Sequence, residues 1–433
     1  MRFELSELRT ALGADVVGPG TPVVEGLATD SRVVVPGQLF AAIRAERDGH
    51  DFVPDAVAAG AAAALVDHRI DGVTCLVVPD VRAALVALAT HARAQLSGPV
   101  VGVTGSVGKT TTKDLLAAVL SRTFVTAASQ RSFNNELGVP LTLCNAPDDV
   151  GAAVVEMGAR GPGHIALLCS MARPTIGVVT TVQAVHTELM GDEGQIARTK
   201  GELIESLPAD GLAVLNASVP LVAGMAPRSA AQVVTFGDGG DVRASEITVD
   251  DQLRPSFELS SPWGSARVQL GVRGVHNVDN ALAAAAVGLF LGVDMAEVIH
   301  GLASSDQSPW RMDLRVAPGG AKVLNDSYNA APASMAAALR SLAALDATRR
   351  IAVVGLMAEL GDRESGEHAR IAELAADLGI ELIAVDTELY GVEPVAGIDG
   401  ALAALGPLRS HDAVLVKGSR VVGLERLAAA LLD

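Results

Sequence analysis

The sequence predicts an α/β protein of three units, the middle one built around a phosphate loop. Three observations lead to this. The chain has 433 residues, too long for one ordinary hydrophobic core. Short apolar runs alternate along it with alanine-rich helical stretches, the pattern of mostly parallel sheets joined by crossover helices. The segment VVGVTGSVGKTTTKDLL, Val100 to Leu116, reads as strand, glycine-bearing turn and helix, in the order that phosphate binding needs. The units divide as residues 1–97, 98–308 and 309–433.

The turn runs through Thr104, Gly105, Ser106, Val107 and Gly108 to Lys109, Thr110 and Thr111. Glycines let backbone N–H groups face inward around a polyphosphate. The helix N-terminus adds partial positive charge and Lys109 a full one. The Thr110 hydroxyl suits a magnesium ion. The strict pattern G-x-x-x-x-G-K-[ST] is missed by one position, because it wants glycine at Val103 and Gly102 lies one residue early. The match is to a variant, T-G-x-x-G-K-T. A surface turn rich in Gly and Thr remains the alternative from pattern alone.

Composition narrows the class. Hydrophobic residues make 49% and charged residues 19%, as in a folded globular protein. The net charge of −17 argues against a nucleic-acid partner. Cys75, Cys144 and Cys169 are odd in number and form no C-x-x-C, so neither a disulfide framework nor a zinc site is expected. The opening MRFELSELRTALG reads as a short charged helix and lacks the apolar region of a signal peptide. The stretch near Ala281–Val293 is broken by Gly288 and Gly292 and is too short to span a bilayer. The expectation is a reducing, cytoplasmic setting, with neither membrane nor nucleic acid as partner.

In the first unit VVVPGQLFAAI, ALVD and TCLVVPD read as strands, and DFVPDAVAAGAAA and VRAALVALATHARAQL as helices. Polar clusters at Thr29-Asp30-Ser31-Arg32 and at Glu46 to Asp51 sit beside strands; a solvated turn is the simpler reading of each. In the middle unit FVTAAS, AAVVEMG, TIGVVTTV and GLAVLNAS read as buried strands. A few antiparallel strands are expected between VVTFGDGGDVRASEITV and ARVQLGV, before the helix NVDNALAAAAVGLFLGV. In the third unit KVLNDSY, RRIAVVGLM, IELIAVD and HDAVLVKGS alternate with helices, as in a doubly wound sheet.

Several residues have the right type for chemistry. Glu156 ends an apolar strand in the phosphate-loop sheet, where it is either a solvated strand end or a magnesium ligand. His186 follows the next strand; histidine is an unusual magnesium ligand, so alone it reads as structural. Lys200 falls on the apolar stripe of EGQIARTKGELIESL, with Ile196, Leu203 and Ile204. Either its stem snorkels, or its amine sits in a polar site near Glu156 and His186. A neutral buried amine there can take up CO₂ as a carbamate, a further carboxylate-like ligand. Asn277 and Asn280 share one helix face, as caps or as readers of a purine. Arg311 lies near the start of the third unit. Asp326, at a strand end, could accept a ribose hydroxyl. Lys417-Gly418-Ser419-Arg420, between the last strand and helix, could bind a carboxylate at a helix N-terminus.

The set TGSVGKTTTK, SFNNELGVPLTL, VVEMG, His186 with ARTKGELIESL, GVHNVDNALAA, DSYNAAP and VLVKGSR resembles the Mur ligases of peptidoglycan synthesis over the whole chain. The N-terminal ATDSRVVVPGQLFAAI and ERDGHDF fit the same family. The resemblance implies a UDP-sugar domain, a central P-loop ATPase domain and a C-terminal Rossmann-like domain. It implies an ATP-dependent amide ligase, acting as a monomer, that joins D-alanyl-D-alanine to UDP-N-acetylmuramoyl-tripeptide through an acyl phosphate. Lys109 and Thr110 match the residues holding ATP phosphates and Mg2+. Glu156, His186 and a carbamylated Lys200 match the metal site. Asn277 and Asn280 match adenine-side asparagines, and Arg311 and Asp326 the surroundings of ribose and phosphates. Ser31 and Arg32 fall in the uridine-nucleotide motif. Asn134, Asn135, Tyr328, Asn329, Lys417, Ser419 and Arg420 match further substrate positions. The sequence departs from the family at Thr181, where T-N-I has asparagine, at Ala331 in Y-N-A-N-P, at Leu356 in G-D-M, and at Ala45, where glycine is usual. A ligase for the third peptide residue is the nearest alternative, but its D-N-P-R motif is missing. Folylpolyglutamate synthase fits GSVGKTTT and YNAAP poorly. A nucleotide-driven switch is the alternative from another class.

Overall fold

The structure, a computed structural model, describes residues 1–183 and 192–433. Its largest sheet has six strands, ordered Gln232–Phe236, Leu212–Asn216, Ile176–Val179, Val100–Thr104, Ala152–Glu156 and Thr126–Ala128, all parallel. Val101, Val103, Val154, Val178 and Val214 are wholly buried, because helices cover both faces of this sheet. Parallel strands bring their C-terminal ends to one edge, so Thr104, Glu156 and Asn216 meet there.

Small residues set the helix packing. A Cβ on Gly102 would lie 2.9 Å from Leu203 Cδ1 and 3.3 Å from Met157 Sδ, so glycine lets the helix Glu193–Glu205 close onto the central strand. On the other face, the helix Lys109–Leu120 lies against the helices Asn277–Phe290 and Met295–Ser304. A Cβ on Gly301 would stand 2.6 Å from Val119 Cα. The expected antiparallel strands form a separate three-stranded sheet, Arg243–Val249, Pro255–Ser261 and Gly264–Gln269.

The first unit carries a five-stranded sheet ordered Asp15–Val17, Cys75–Val77, Ala63–Val66, Leu39–Ala41 and Leu27–Ala28. Two expectations need correction here. Residues Arg2–Glu4 form a strand against Val23–Glu25, and the helix starts only at Leu5. Glu4 is extended and exchanges capping hydrogen bonds with Glu7, which fixes the boundary. The long strand read from VVVPGQLFAAI shrinks to Leu39–Ala41, because Ser31–Val33 is a 3-10 turn capped by Asp30 and Pro36 interrupts the run.

The helix Val81–Gln95 joins this unit to the middle one. Its Leu85, Leu88 and Ala92 belong to one apolar cluster with Leu65 and Leu76 on one side and Leu143 and Leu168 on the other. A polar clasp supplements it. Asn145 Oδ1 accepts from Leu27 N at 3.0 Å, and its Nδ2 donates to Leu27 O at 2.9 Å, so one side chain pairs with a strand backbone like a neighbouring strand.

The third unit has the strand order Asp313–Val316, Lys322–Asn325, Asp412–Lys417, Arg349–Val354, Glu381–Ala384, parallel except for the first pair. That antiparallel edge strand and the helix Gly397–Leu405 were not expected from pattern. All three cysteines are buried and free. Burial pushes the thiols of Cys144 and Cys169 up to about 12 and about 11. Among the described residues no helix is long and apolar enough to cross a membrane.

Asn145→Ala takes the amide partner from Leu27 N and leaves Leu27 O with the longer bond from Gln38 Nε2, 3.3 Å. It should cost about 1–2 kcal/mol, read as a lower urea midpoint with an unchanged slope.

Candidate active site

The C-terminal edge of the six-stranded sheet opens into a cleft of about 640 Å³, lined by residues of the middle and third units. Its floor is the phosphate loop. Gly105 and Gly108 have φ of +154° and +89°. A Cβ on Gly105 would collide with the Thr180 hydroxyl, and one on Gly108 would stand 2.5 Å from Asn280 Oδ1. The strand end at Thr180 and Thr181 pins the loop. Ser106 N donates to Thr181 O at 2.9 Å, Val107 N to Thr181 Oγ1 at 3.0 Å, and Thr180 Oγ1 to Val107 O at 2.6 Å.

Lys109 Nζ donates to the loop carbonyls of Gly105 at 2.7 Å and Ser106 at 3.2 Å. Removal from water lowers its pKa; Glu156 opposes this and Arg311 adds to it. Thr110 Oγ1 lies 3.3 Å from Ser132 Oγ and accepts from Arg311 Nη2 at 3.1 Å. Arg311 also stacks on the Tyr328 ring, 4.2 Å from its centroid. One arginine of the third unit thus reaches the first turn of the phosphate-loop helix.

Glu156 is 1% exposed. Its Oε1 accepts from Asn134 Nδ2 at 2.8 Å, whereas Oε2 is buried with no hydrogen-bond partner among the described residues. Lys200 lines the same cleft and is 4% exposed, on the buried stripe expected. Desolvation drives its pKa well below 10.5, and the nearby charge of Lys109 lowers it further. A buried carboxylate oxygen without a donor, the Thr110 hydroxyl and an amine whose depressed pKa favours uptake of CO₂ as a carbamate would together make an oxygen-rich set that fits a hard cation such as magnesium. His186 lies outside the described residues.

Other expected residues divide clearly. Asn277, Asn280, Asn135, Asp326, Tyr328, Asn329 and Lys417 line the cleft. Asn280 and Asn277 are already engaged. Asn280 accepts from Thr112 Oγ1 at 3.1 Å and donates to Asn277 Oδ1 at 2.7 Å, bracing the two helices. Asn135 Oδ1 accepts from Leu137 N and Gly138 N, in the turn that leads into the helix Gly138–Cys144. Lys417 is buried and paired with Asp326 at 2.5 Å, and donates to Asn329 O at 2.9 Å. This corrects the helix-terminus reading of Lys417 to Arg420, because a 3-10 turn, Arg420–Val422, follows the strand. Thr104, Ser419 and Arg420 do not line the cleft. Thr104 donates to Met157 O beneath the loop, Ser419 is buried, and Arg420 stacks on Trp310 and pairs with Glu425. Ser31 and Arg32 lie in the first unit, where Arg32 pairs with Asp30.

Two groups escaped the sequence reading. Lys113, 3% exposed, donates to Ser129 O and Arg131 O and pairs with Asp114, so it shapes the segment that leads to Asn134. Its position one turn beyond Lys109 was the available signal. His164, on the cleft wall, contacts Glu136 at 3.1 Å and accepts from Arg160 N; a lone histidine after a glycine carries no pattern.

Residues 103–288 match the Mur ligase middle domain, and residues 310–420 the Mur ligase, glutamate ligase domain. A UDP-N-acetylmuramoyl-tripeptide–D-alanyl-D-alanine ligase of Mycobacterium tuberculosis (strain ATCC 25618 / H37Rv) is 40% identical, over 93% of this chain and 91% of its own. The chain belongs to the Mur ligase family. A ligase of the same name from Escherichia coli (strain K12) is 34% identical to this Mur ligase, covering 99% of this chain and 98% of its own. Among solved structures, MurF from Acinetobacter baumannii superposes with a TM-score of 0.90 at 32% identity, covering 100% of this chain and 99% of that one. MurF ligase from Thermotoga maritima in complex with ADP gives 0.82 at 28% identity, covering 94% and 97%.

Lys200 yields a prediction of defined sign. Its folded pKa lies below the unfolded value of 10.5, so the unfolded chain binds the extra proton and stability rises with pH through that window. In bicarbonate-free buffer, Lys200→Met should be more stable than wild type at neutral pH. The gap should close as pH approaches 10.5, as followed by urea unfolding.

Proposed function

We propose that this Mur ligase uses ATP to activate the carboxylate of UDP-N-acetylmuramoyl-tripeptide and joins it to D-alanyl-D-alanine, releasing ADP and phosphate. The observation that carries this is the full-length likeness, at 40% and 34% identity, to ligases of that name. The likeness to a 2,6-diaminopimelate ligase is only 18% identical, with a TM-score of 0.56, and speaks for the fold alone.

The residues suit the chemistry. The peptide carboxylate attacks the γ-phosphorus of ATP, and ADP leaves. The amine of the dipeptide attacks the acyl phosphate carbon, and phosphate departs from the tetrahedral intermediate as the amine proton passes to solvent. Little covalent work falls to the protein; positioning and charge neutralisation dominate. The turn from Gly105 to Thr111 supplies inward N–H groups. Lys109, resting on loop carbonyls 2.7 and 3.2 Å away, turns out to meet a phosphate. Thr110, Glu156, His186 and the Lys200 carbamate would hold Mg2+, which when bound neutralises phosphoryl charge. Arg311 and Asp326 serve the nucleotide side, with Asn277 and Asn280 behind the adenine. Ser31 and Arg32 serve the uridine end. Asn134, Asn135, Tyr328, Asn329, Lys417, Ser419 and Arg420 serve or support the peptide substrates. The protein acts as a cytoplasmic monomer on small molecules.

A phosphate-release assay tests the reading: release should require both the muramoyl tripeptide and D-alanyl-D-alanine. Release with ATP alone, indifferent to both, would point to a nucleotide switch. Lys200→Ala should lose nearly all ligation, about 10²-fold or more, and short carboxylic acids should restore part of it. Substantial activity of Lys200→Ala without them sinks the carbamate.

A further inference from the structure

The strand Arg349–Val354 ends in an irregular loop, residues 355–360, whose Ala358, Glu359 and Leu360 line the cleft. A loop without regular structure has to find partners for its backbone groups elsewhere. Here they come from three distant side chains. Tyr390 Oη donates to Gly355 O at 2.9 Å. Met357 N donates to His368 Nε2 at 2.9 Å. Ala358 N donates to Ser419 Oγ at 2.9 Å, while Ser419 N donates to Leu356 O. Gly355 N closes the set on Lys417 O, at 2.9 Å.

The histidine is the centre of this clasp. His368 is 0% exposed. Its Nδ1 lies 2.7 Å from Glu364 O, which can only accept, so the ring proton sits on Nδ1 and Nε2 is left as the acceptor for Met357. The Tyr390 ring meets it edge-on, with centroids 4.8 Å apart and planes at 70°. Burial holds the imidazole below its ordinary pKa, against the pull of Glu364, which suits a ring that has to stay neutral.

We propose that His368, with Tyr390, is a positioning residue for the amine donor: it fixes the loop 355–360 as the third unit's wall of the cleft without touching substrate. The phosphate loop and Glu156 occupy the middle unit's side of the cleft, so this loop, with Asn329 and Ala331, faces the remaining space. The assignment of that space to D-alanyl-D-alanine rests on the function proposed above; the clasp itself does not. Removing the acceptor leaves a buried N–H unpaired, and the loop then samples other conformations.

Two measurements separate the parts. Amide hydrogen exchange on the full chain should show residues 355–358 exchanging about tenfold faster or more in His368→Ala, with the strand Arg349–Val354 unchanged. Steady-state kinetics should show the KM for D-alanyl-D-alanine rising about tenfold, with the KM for ATP within about twofold. His368→Gln, whose carboxamide oxygen can accept from Met357 N, should recover most of both. Tyr390→Phe, which loses one hydroxyl, should reproduce the dipeptide effect at a few-fold; it carries the test if His368→Ala does not fold. Unchanged exchange in 355–358 overturns the clasp. Faster exchange with an unchanged dipeptide KM, or with all constants shifted alike, overturns the role in donor positioning. Wild-type protein that turns over ATP but ignores D-alanyl-D-alanine refutes the functional reading and leaves the exchange result to decide the clasp.

Discussion

The cost of taking a lysine out of water governs how this cleft is built. Lys113, Lys200 and Lys417 are each nearly inaccessible, and Lys109 sits among loop carbonyls. An ammonium in such a place needs an anion, several carbonyls or the loss of its proton. The fold uses all three answers. Lys113 has two carbonyls and Asp114; Lys417 has Asp326 and the Asn329 carbonyl. Lys200 faces the positive Lys109, and its pKa falls accordingly. Burial holds this amine furthest toward its neutral form, so the same burial that looks like a defect favours reactivity.

These buried charges stay in place because the surrounding elements have little freedom. The helix carrying Lys200 rests on a strand made thin by Gly102. The phosphate-loop helix is wedged against the alanine-rich helix Asn277–Phe290 and cross-braced through Thr112, Asn280 and Asn277. The braces are amides with complementary donors and acceptors, so a change at any member strands a buried partner. The asparagines are braces in this structure; the adenine-side role belongs to the proposed ligase.

The sequence revealed those features whose cause is local. The phosphate loop was legible because its strand, turn and helix occupy 17 consecutive residues. Lys200 was legible because a helical period placed it among Ile196, Leu203 and Ile204, and the structure buries all of them. What depends on distant partners was not legible. Lys417 looked like a free cation at a helix start, yet its counter-ion Asp326 is 91 positions away in sequence and adjacent in the sheet. The edge strand Asp313–Val316 has no alternation strong enough to mark it, and forms because Lys322–Asn325 offers a free edge. Arg2–Glu4 carried a helical composition, but pairing with Val23–Glu25 outweighed propensity. The clasp at His368 belongs to the same class, for its partners come from a helix, a loop after a strand and the end of the last strand.

The glycine that sits one place too early for the standard phosphate-loop pattern has its own explanation. Gly102 points away from the loop, toward Leu203 on the lysine helix. It is a spacer between sheet and helix, unconnected with phosphate. Positions 102 and 203 therefore share a single volume, and a methyl gained at one has to be matched by bulk lost at the other. A side chain gained at residue 102 alone would push the helix Glu193–Glu205, and Lys200 with it, away from the central strand.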